Sequence, residues 1–303
     1  MPSRFRGTGV ALVTPFHKDG SINFKCLGQL VDRMIDNGVN YLVALGTTGE
    51  SVALSKDEKL AIIGFVVDQA EGRVPIVLGL GGNNTNEILN SFSYYDFDGV
   101  EALLSVSPYY NKPSQKGLYQ HYKMIANRSP VPVILYNVPG RTSSNITSDT
   151  TLRLACDIDN IIGIKEASGD LEQAMRIIKN KPEGFLVISG DDALTLPLIA
   201  LGADGVISVV ANVFPEEFSG LVSNALRGNM KRARECHYNL IDIIETLFVE
   251  GNPAGVKAAM EIMKESEANL RLPLTQVSRA TYKKLTGLIE DLVKVNPAAE
   301  KLS

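Results

Sequence analysis

Along the chain, short runs of apolar and β-branched residues alternate with longer segments in which apolar residues recur every three or four positions. The runs are GVALVTP (9–15), YLVALG (41–46), VPIVLGL (74–80), VEALLSV (100–106), VPVILYN (131–137), IIGIKEA (161–167), FLVISG (185–190) and GVISVV (205–210). Successive starts are about 20 to 35 residues apart, the length of one βα unit. The segments between them carry helix signals: CLGQLVDRMIDN has the three-and-four repeat, and Ser55 before KDEKLAIIGFVVDQA is an N-cap with Glu58 at the capping-box position. Eight strands that are apolar almost throughout, each followed by a helix, fit a closed (β/α)8 TIM barrel better than an open sheet with two edges. Beyond residue 214 the helical pattern runs on through four more segments, of which a barrel needs one. This predicts a barrel domain over 1–228 and a C-terminal helical extension over 229–303, packed on the barrel or used between subunits.

Composition narrows the function classes. With 45% hydrophobic and 21% charged residues the chain reads as a soluble globular protein with a sizeable core. A net charge of −4 with scattered basic residues gives no footprint for nucleic acid. The most apolar stretch, 194–214, is broken by a Gly-Ala-Asp-Gly turn, so helix, turn and strand are expected there rather than a membrane span. Pro15, His17, Lys18 and Asp19 interrupt the first apolar run before an export signal could form. Cys26, Cys156 and Cys236 are odd in number and far apart, as are His17, His121 and His237. Neither a disulfide framework nor a metal site is expected, and reduced thiols in a cytoplasmic protein are.

In such a barrel the chemistry belongs at the C-terminal strand ends. Those ends read TP, GTTGES, SPYYN, YNVPGRT, KEASGD and SGDD, rich in hydroxyls and glycine. Lys165 interrupts an otherwise apolar strand. It could pair with a carboxylate such as Glu166 or extend to the rim. Alternatively, an amine taken out of water is penalised as ammonium, which favours attack on a ketone to give a Schiff base. Tyr136 ends the neighbouring strand, where a phenol could pack or relay protons. GTTGES is either a tight βα turn or a carboxylate nest of hydroxyls and N–H groups. Arg141 is either a solvated loop residue or a bidentate grip for a second carboxylate. Lys257, in the apolar NPAGVKAAM helix, is expected as a packed stem with its head exposed.

Taken together and in order, GTTGE, SPYYN, YNVPGRT, IKEASGD and SGDDAL resemble the dihydrodipicolinate synthase family of the N-acetylneuraminate lyase superfamily, over essentially the whole chain. The resemblance implies condensation of pyruvate with L-aspartate 4-semialdehyde on the way to diaminopimelate and lysine. It gives Lys165 the imine, Tyr136 the proton relay, Thr47 the link from Tyr136 to Tyr110 of a neighbouring subunit, and Thr48 the pyruvate carboxylate. Arg141 would take the semialdehyde carboxylate, with Gly190 and Ile207 lining the pocket. No metal or organic cofactor is implied, because the protonated imine is the electron sink. The assembly implied is a homotetramer built as a dimer of dimers. The nearest alternative, a sibling aldolase acting on sialic acid or a 2-keto-3-deoxy sugar acid, generally lacks the arginine at position 141. Ser51, Asn83, Glu87 and Tyr109 match a lysine-effector site of some members. Lys56 and Lys59 stand where sensitive relatives often carry histidine, so like-charge repulsion predicts weak sensitivity to lysine.

Overall fold

The computed structural model describes residues 2–295. In chain order its elements are β1 (Gly7–Ala11), α1 (Phe24–Asp36), β2 (Tyr41–Ala44), α2 (Lys56–Ala70), β3 (Ile76–Gly79), α3 (Thr85–Ser91), β4 (Val100–Val106) and α4 (Gln115–Arg128). There follow β5 (Val133–Asn137), α5 (Pro139–Thr142), α6 (Ser148–Asp157), β6 (Ile161–Glu166), α7 (Leu171–Asn180), β7 (Leu186–Ser189), α8 (Thr195–Ala200), β8 (Gly205–Ser208) and α9 (Pro215–Leu226). The extension adds α10 (Met230–Phe248), α11 (Ala254–Ile262) and α12 (Arg279–Val295). The last part of the predicted extension, 296–303, lies outside the described residues.

All eight strands pair in parallel and β8 closes on β1, giving the barrel that the spacing predicts. Each strand shows one face to the barrel interior and one to the helices, which is why both faces are apolar. Tyr41, Val43, Val77, Leu104, Ile134, Tyr136, Ile188 and Ile207 meet inside. Leu42, Leu78, Leu103, Leu135, Ile164 and Val187 pack outward on the helical layer. Most strands end before their apolar run does, the run continuing into the loop that follows, whereas β4 and β5 reach the end of theirs. The first strand ends at Ala11, and Leu12–Thr14 curl under the catalytic-end loops, with Thr14 Oγ1 donating to Gly49 O at 2.7 Å.

Helix starts follow local chemistry. Ser55 caps α2 by the reciprocal bonds of a capping box with Glu58, and Asn23, Ser114, Thr147 and Asp170 each accept an N–H from the first turn of α1, α4, α6 and α7. Such a cap contributes about 1 kcal/mol. Among the described residues no helix is long and apolar enough to cross a membrane, and 194–214 forms α8, a turn and β8. α10 packs along α9 and against α12, and the α10–α11 connection turns back over the catalytic end of the barrel.

Candidate active site

The β5–β6 pairing decides what faces the barrel interior. The register slips at Ile162: Val133 pairs with Ile161, but Ile134 pairs with Gly163, Tyr136 with Lys165 and Asn137 with Glu166. One extra residue reverses the alternation of the following side chains. Lys165 therefore faces inward beside Tyr136, whereas Glu166 faces the helices beside Asn137.

Glu166 is satisfied on that outer side. Its oxygens accept from Asn137 Nδ2 (3.1 Å to each), Ser168 N (2.7 Å) and Gln173 Nε2 (3.0 Å). The structure thus excludes Glu166 as the partner of Lys165, whose Nζ lies 4.4 Å from the centre of the Tyr136 ring. Lys165 is 5% exposed and Tyr136 7%. That remaining exposure opens into a cavity of about 390 Å³ at the C-terminal strand ends, lined by Lys165, Tyr136, Thr47, Thr48, Arg141 and Gly190 among others. Gly190 abuts Lys165: a Cβ there would stand 2.6 Å from Ala167 Cβ and 3.0 Å from Lys165 Cε, so a larger residue would displace the lysine.

The GTTGES loop is a tight turn and a cavity wall at once. Gly49 N and Glu50 N donate to Gly46 O and Thr47 O at 3.1 Å each, which leaves Thr47 and Thr48 on the lining. The Thr48 hydroxyl accepts from Asn252 Nδ2 at 2.9 Å, and Asn252 O accepts from Arg141 Nη2 at 3.5 Å. Asn252 was not singled out in sequence. It comes from the α10–α11 connection, about 200 residues from Thr48, and its one local signal is the NP dipeptide, a turn cue at the start of a segment that reads as helix. Asp192, next to the lining residue Asp191, is buried with Oδ2 accepting from Val209 N and Val210 N at 3.0 and 2.9 Å. Burial raises its carboxyl to about 6. It anchors the end of β8.

Other candidates sit elsewhere. Ile207 lies in the apolar interior cluster, and Val209 takes its place on the lining. Tyr110 is on neither cavity wall: it is 90% exposed, with a left-handed backbone at φ 72°. A second cavity of about 490 Å³ adjoins the first and shares Thr47, Tyr136 and Arg141 with it. Ser51, Tyr109 and Lys59 line it, but Lys56, Asn83 and Glu87 do not. Lys56 Nζ sits 3.2 Å over the Tyr94 ring, Glu87 Oε1 accepts from Asn84 Nδ2, and Asn83 O accepts from Asn111 Nδ2.

One expectation is overturned. The head of Lys257 is not exposed: the residue is 0% accessible, with Nζ 2.5 Å from Glu50 Oε1 and donating to Asn269 O at 2.8 Å. The carboxylate supplies the countercharge that lets an ammonium remain inside. Burial still holds it below the usual lysine range, against the pull of Glu50.

A lysine amine, a phenol ring beside it, two hydroxyls and a guanidinium line one cavity, groups of the kinds that imine chemistry on a carboxylate-bearing ketone uses. Residues 4–292 match the Dihydrodipicolinate synthetase family. A 4-hydroxy-tetrahydrodipicolinate synthase from Parabacteroides distasonis is 52% identical over 287 residues, 95% of this chain and 97% of the relative. The structure of the enzyme of that name from Methylacidiphilum fumariolicum SolV superposes with a TM-score of 0.94 at 38% identity, over 98% of this chain and 99% of that one. A dihydrodipicolinate synthase from Acinetobacter baumannii, solved with pyruvate, gives a TM-score of 0.92 at 41% identity, over 95% and 98%.

Proposed function

Because the chain belongs to the dihydrodipicolinate synthetase family, we propose that it condenses pyruvate with L-aspartate 4-semialdehyde, as a 4-hydroxy-tetrahydrodipicolinate synthase does. The observation that carries this reading is Lys165 on the cavity wall, beside Tyr136 and with Arg141 on the same lining.

Lys165 Nζ attacks the ketone carbon of pyruvate, and the carbinolamine loses water to give a protonated imine. A methyl proton leaves, the electron pair moves into the enamine, and the enamine carbon attacks the aldehyde of the semialdehyde. The amine of that substrate then attacks the imine carbon, closes the ring and releases Lys165. One water leaves per turnover. The imine nitrogen takes up the electrons, so the reaction calls for no metal or organic cofactor.

Tyr136 moves the protons, Thr48 holds the pyruvate carboxylate and Arg141 that of the semialdehyde. Thr47 continues the relay to Tyr110 of the partner subunit, which accords with the outward, left-handed placement of Tyr110 in the single chain. The assembly in this reading is a homotetramer, a dimer of dimers, located in the cytoplasm.

The direct test is turnover of pyruvate plus semialdehyde against cleavage of sialic and 2-keto-3-deoxy sugar acids by the same preparation. Efficient cleavage of a sugar acid without condensation would overturn the reading. Arg141→Leu is expected to raise the KM for semialdehyde by roughly 10- to 100-fold, the loss of charge-assisted hydrogen bonds to a carboxylate, while the pyruvate KM changes little.

Lysine should inhibit weakly. The wall of the second cavity that includes Ser51 and Tyr109 also carries the half-buried Lys59 ammonium, which opposes a cationic effector. Half-maximal inhibition above about 1 mM is expected in a titration with L-lysine. Submillimolar inhibition would contradict this.

A further inference from the structure

The loop that carries Thr47 and Thr48 is held from behind by the C-terminal extension. Glu50, two residues after Thr48, has a side chain with no exposed surface, paired with the equally buried Lys257 of α11. The second oxygen of Glu50 accepts from Arg271 N at 3.1 Å, and Lys257 Nζ also lies 4.2 Å from the centre of the Phe16 ring. Glu50 adopts a left-handed backbone at φ 54°, with its N–H on Thr47 O. On the cavity side of the same loop, Asn252 holds the Thr48 hydroxyl.

The buried ion pair and the left-handed backbone of Glu50 both cost stability. Two charges taken out of water lose hydration that their attraction regains only in part, and an apolar pair of similar volume often serves a core as well or better. A non-glycine residue in the left-handed region adds strain. What the pair does secure is place: one bond fixes the loop against a helix that packs on the far side of the cavity wall.

We propose that Lys257 is a positioning residue for the reaction: through Glu50 it fixes the 46–50 loop so that the Thr48 N–H and hydroxyl meet the carboxylate of pyruvate. It acts on pyruvate binding, and on the relay only through Thr47 of the same loop, but not on semialdehyde capture. The proposal rests on pyruvate being the first substrate.

Two variants of the full-length enzyme test it. Glu50→Asp keeps both charges but shortens the reach by one methylene. The double variant Glu50→Gln with Lys257→Met removes both charges at nearly constant volume. Half-saturation by pyruvate is read from borohydride-trapped adduct and from steady-state KM, alongside the KM for semialdehyde and Tm. Both variants are expected to raise pyruvate half-saturation by about tenfold or more, with semialdehyde KM within roughly threefold of the parent. Leu285→Ala, in the buried core face of α12, serves as control and should lower Tm without moving pyruvate half-saturation. A folded variant with parental pyruvate half-saturation overturns the proposal. So does a Leu285→Ala control that raises it as much, or failure of both variants to fold, since either makes the pair a stability element only. If the parent enzyme traps no pyruvate at all, the functional reading fails first, and the proposal with it.

Discussion

Lys165→Ala is expected to lose turnover by roughly 10⁴-fold or more, the scale on which removing a covalent nucleophile acts. The parent enzyme, reduced with borohydride in the presence of pyruvate, should gain one reduced adduct, mapped to the peptide that contains Lys165. The variant should gain none. Folding should survive, because the side chain holds no network together: the Glu166 bonds lie on the other face of β6, and the contact Lys165 Nζ makes is with the Tyr136 ring. A variant with parental Tm and no activity would therefore report chemistry. Turnover within tenfold of the parent, or an adduct on another lysine, would remove Lys165 from the mechanism.

Lys257 makes this a real discrimination. It is more deeply buried than Lys165, so burial alone names the wrong lysine. The difference lies in the partner. Lys257 faces the Glu50 carboxylate at 2.5 Å, which favours the ammonium and blocks the lone pair. Lys165 faces a phenol ring and open cavity. The adduct is expected on Lys165 and not on Lys257.

The same pair shows what sequence could and could not supply. The eight βα units of the barrel and the capping box of α2 follow from local periodicity and cap chemistry, which are properties of contiguous residues. Lys165 stood out because a charged residue interrupts an apolar run. The slip at Ile162 that turns Lys165 inward was not visible, since Ile161, Ile162 and Ile164 are apolar whichever way they point. Asn252 meets Thr48 and Lys257 meets Glu50, each across roughly 200 residues of chain, and nothing in their own neighbourhoods announces the contacts. A lysine in an apolar helix most often extends its head to solvent. Here the extension covers the catalytic end, and the head finds a carboxylate instead.

Tyr136→Phe is expected to lower kcat by about 10²- to 10⁴-fold, the range for removing a positioned general acid or base, with much less change in the pyruvate KM. The ring belongs to the interior apolar cluster with Ile134, Ile188 and Ile207, so phenylalanine preserves the packing and Tm should hold. The nucleophile is also preserved. Borohydride should still trap pyruvate on Lys165, but the rate of adduct formation in a single turnover should fall, because carbinolamine formation and loss of water both need a proton moved at the right moment. Lys165→Ala, by contrast, gives no adduct at any time. The register pairing sets the phenol ring beside the amine: Tyr136 and Lys165 are directly opposed on adjacent strands and share the inward face. If Tyr136→Phe forms the adduct at the parental rate but still turns over slowly, the phenol serves only the later steps, enamine formation and ring closure. If kcat itself stays within tenfold of the parent, the proton passes through some other group, and Thr47, on the same lining, becomes the residue to replace next.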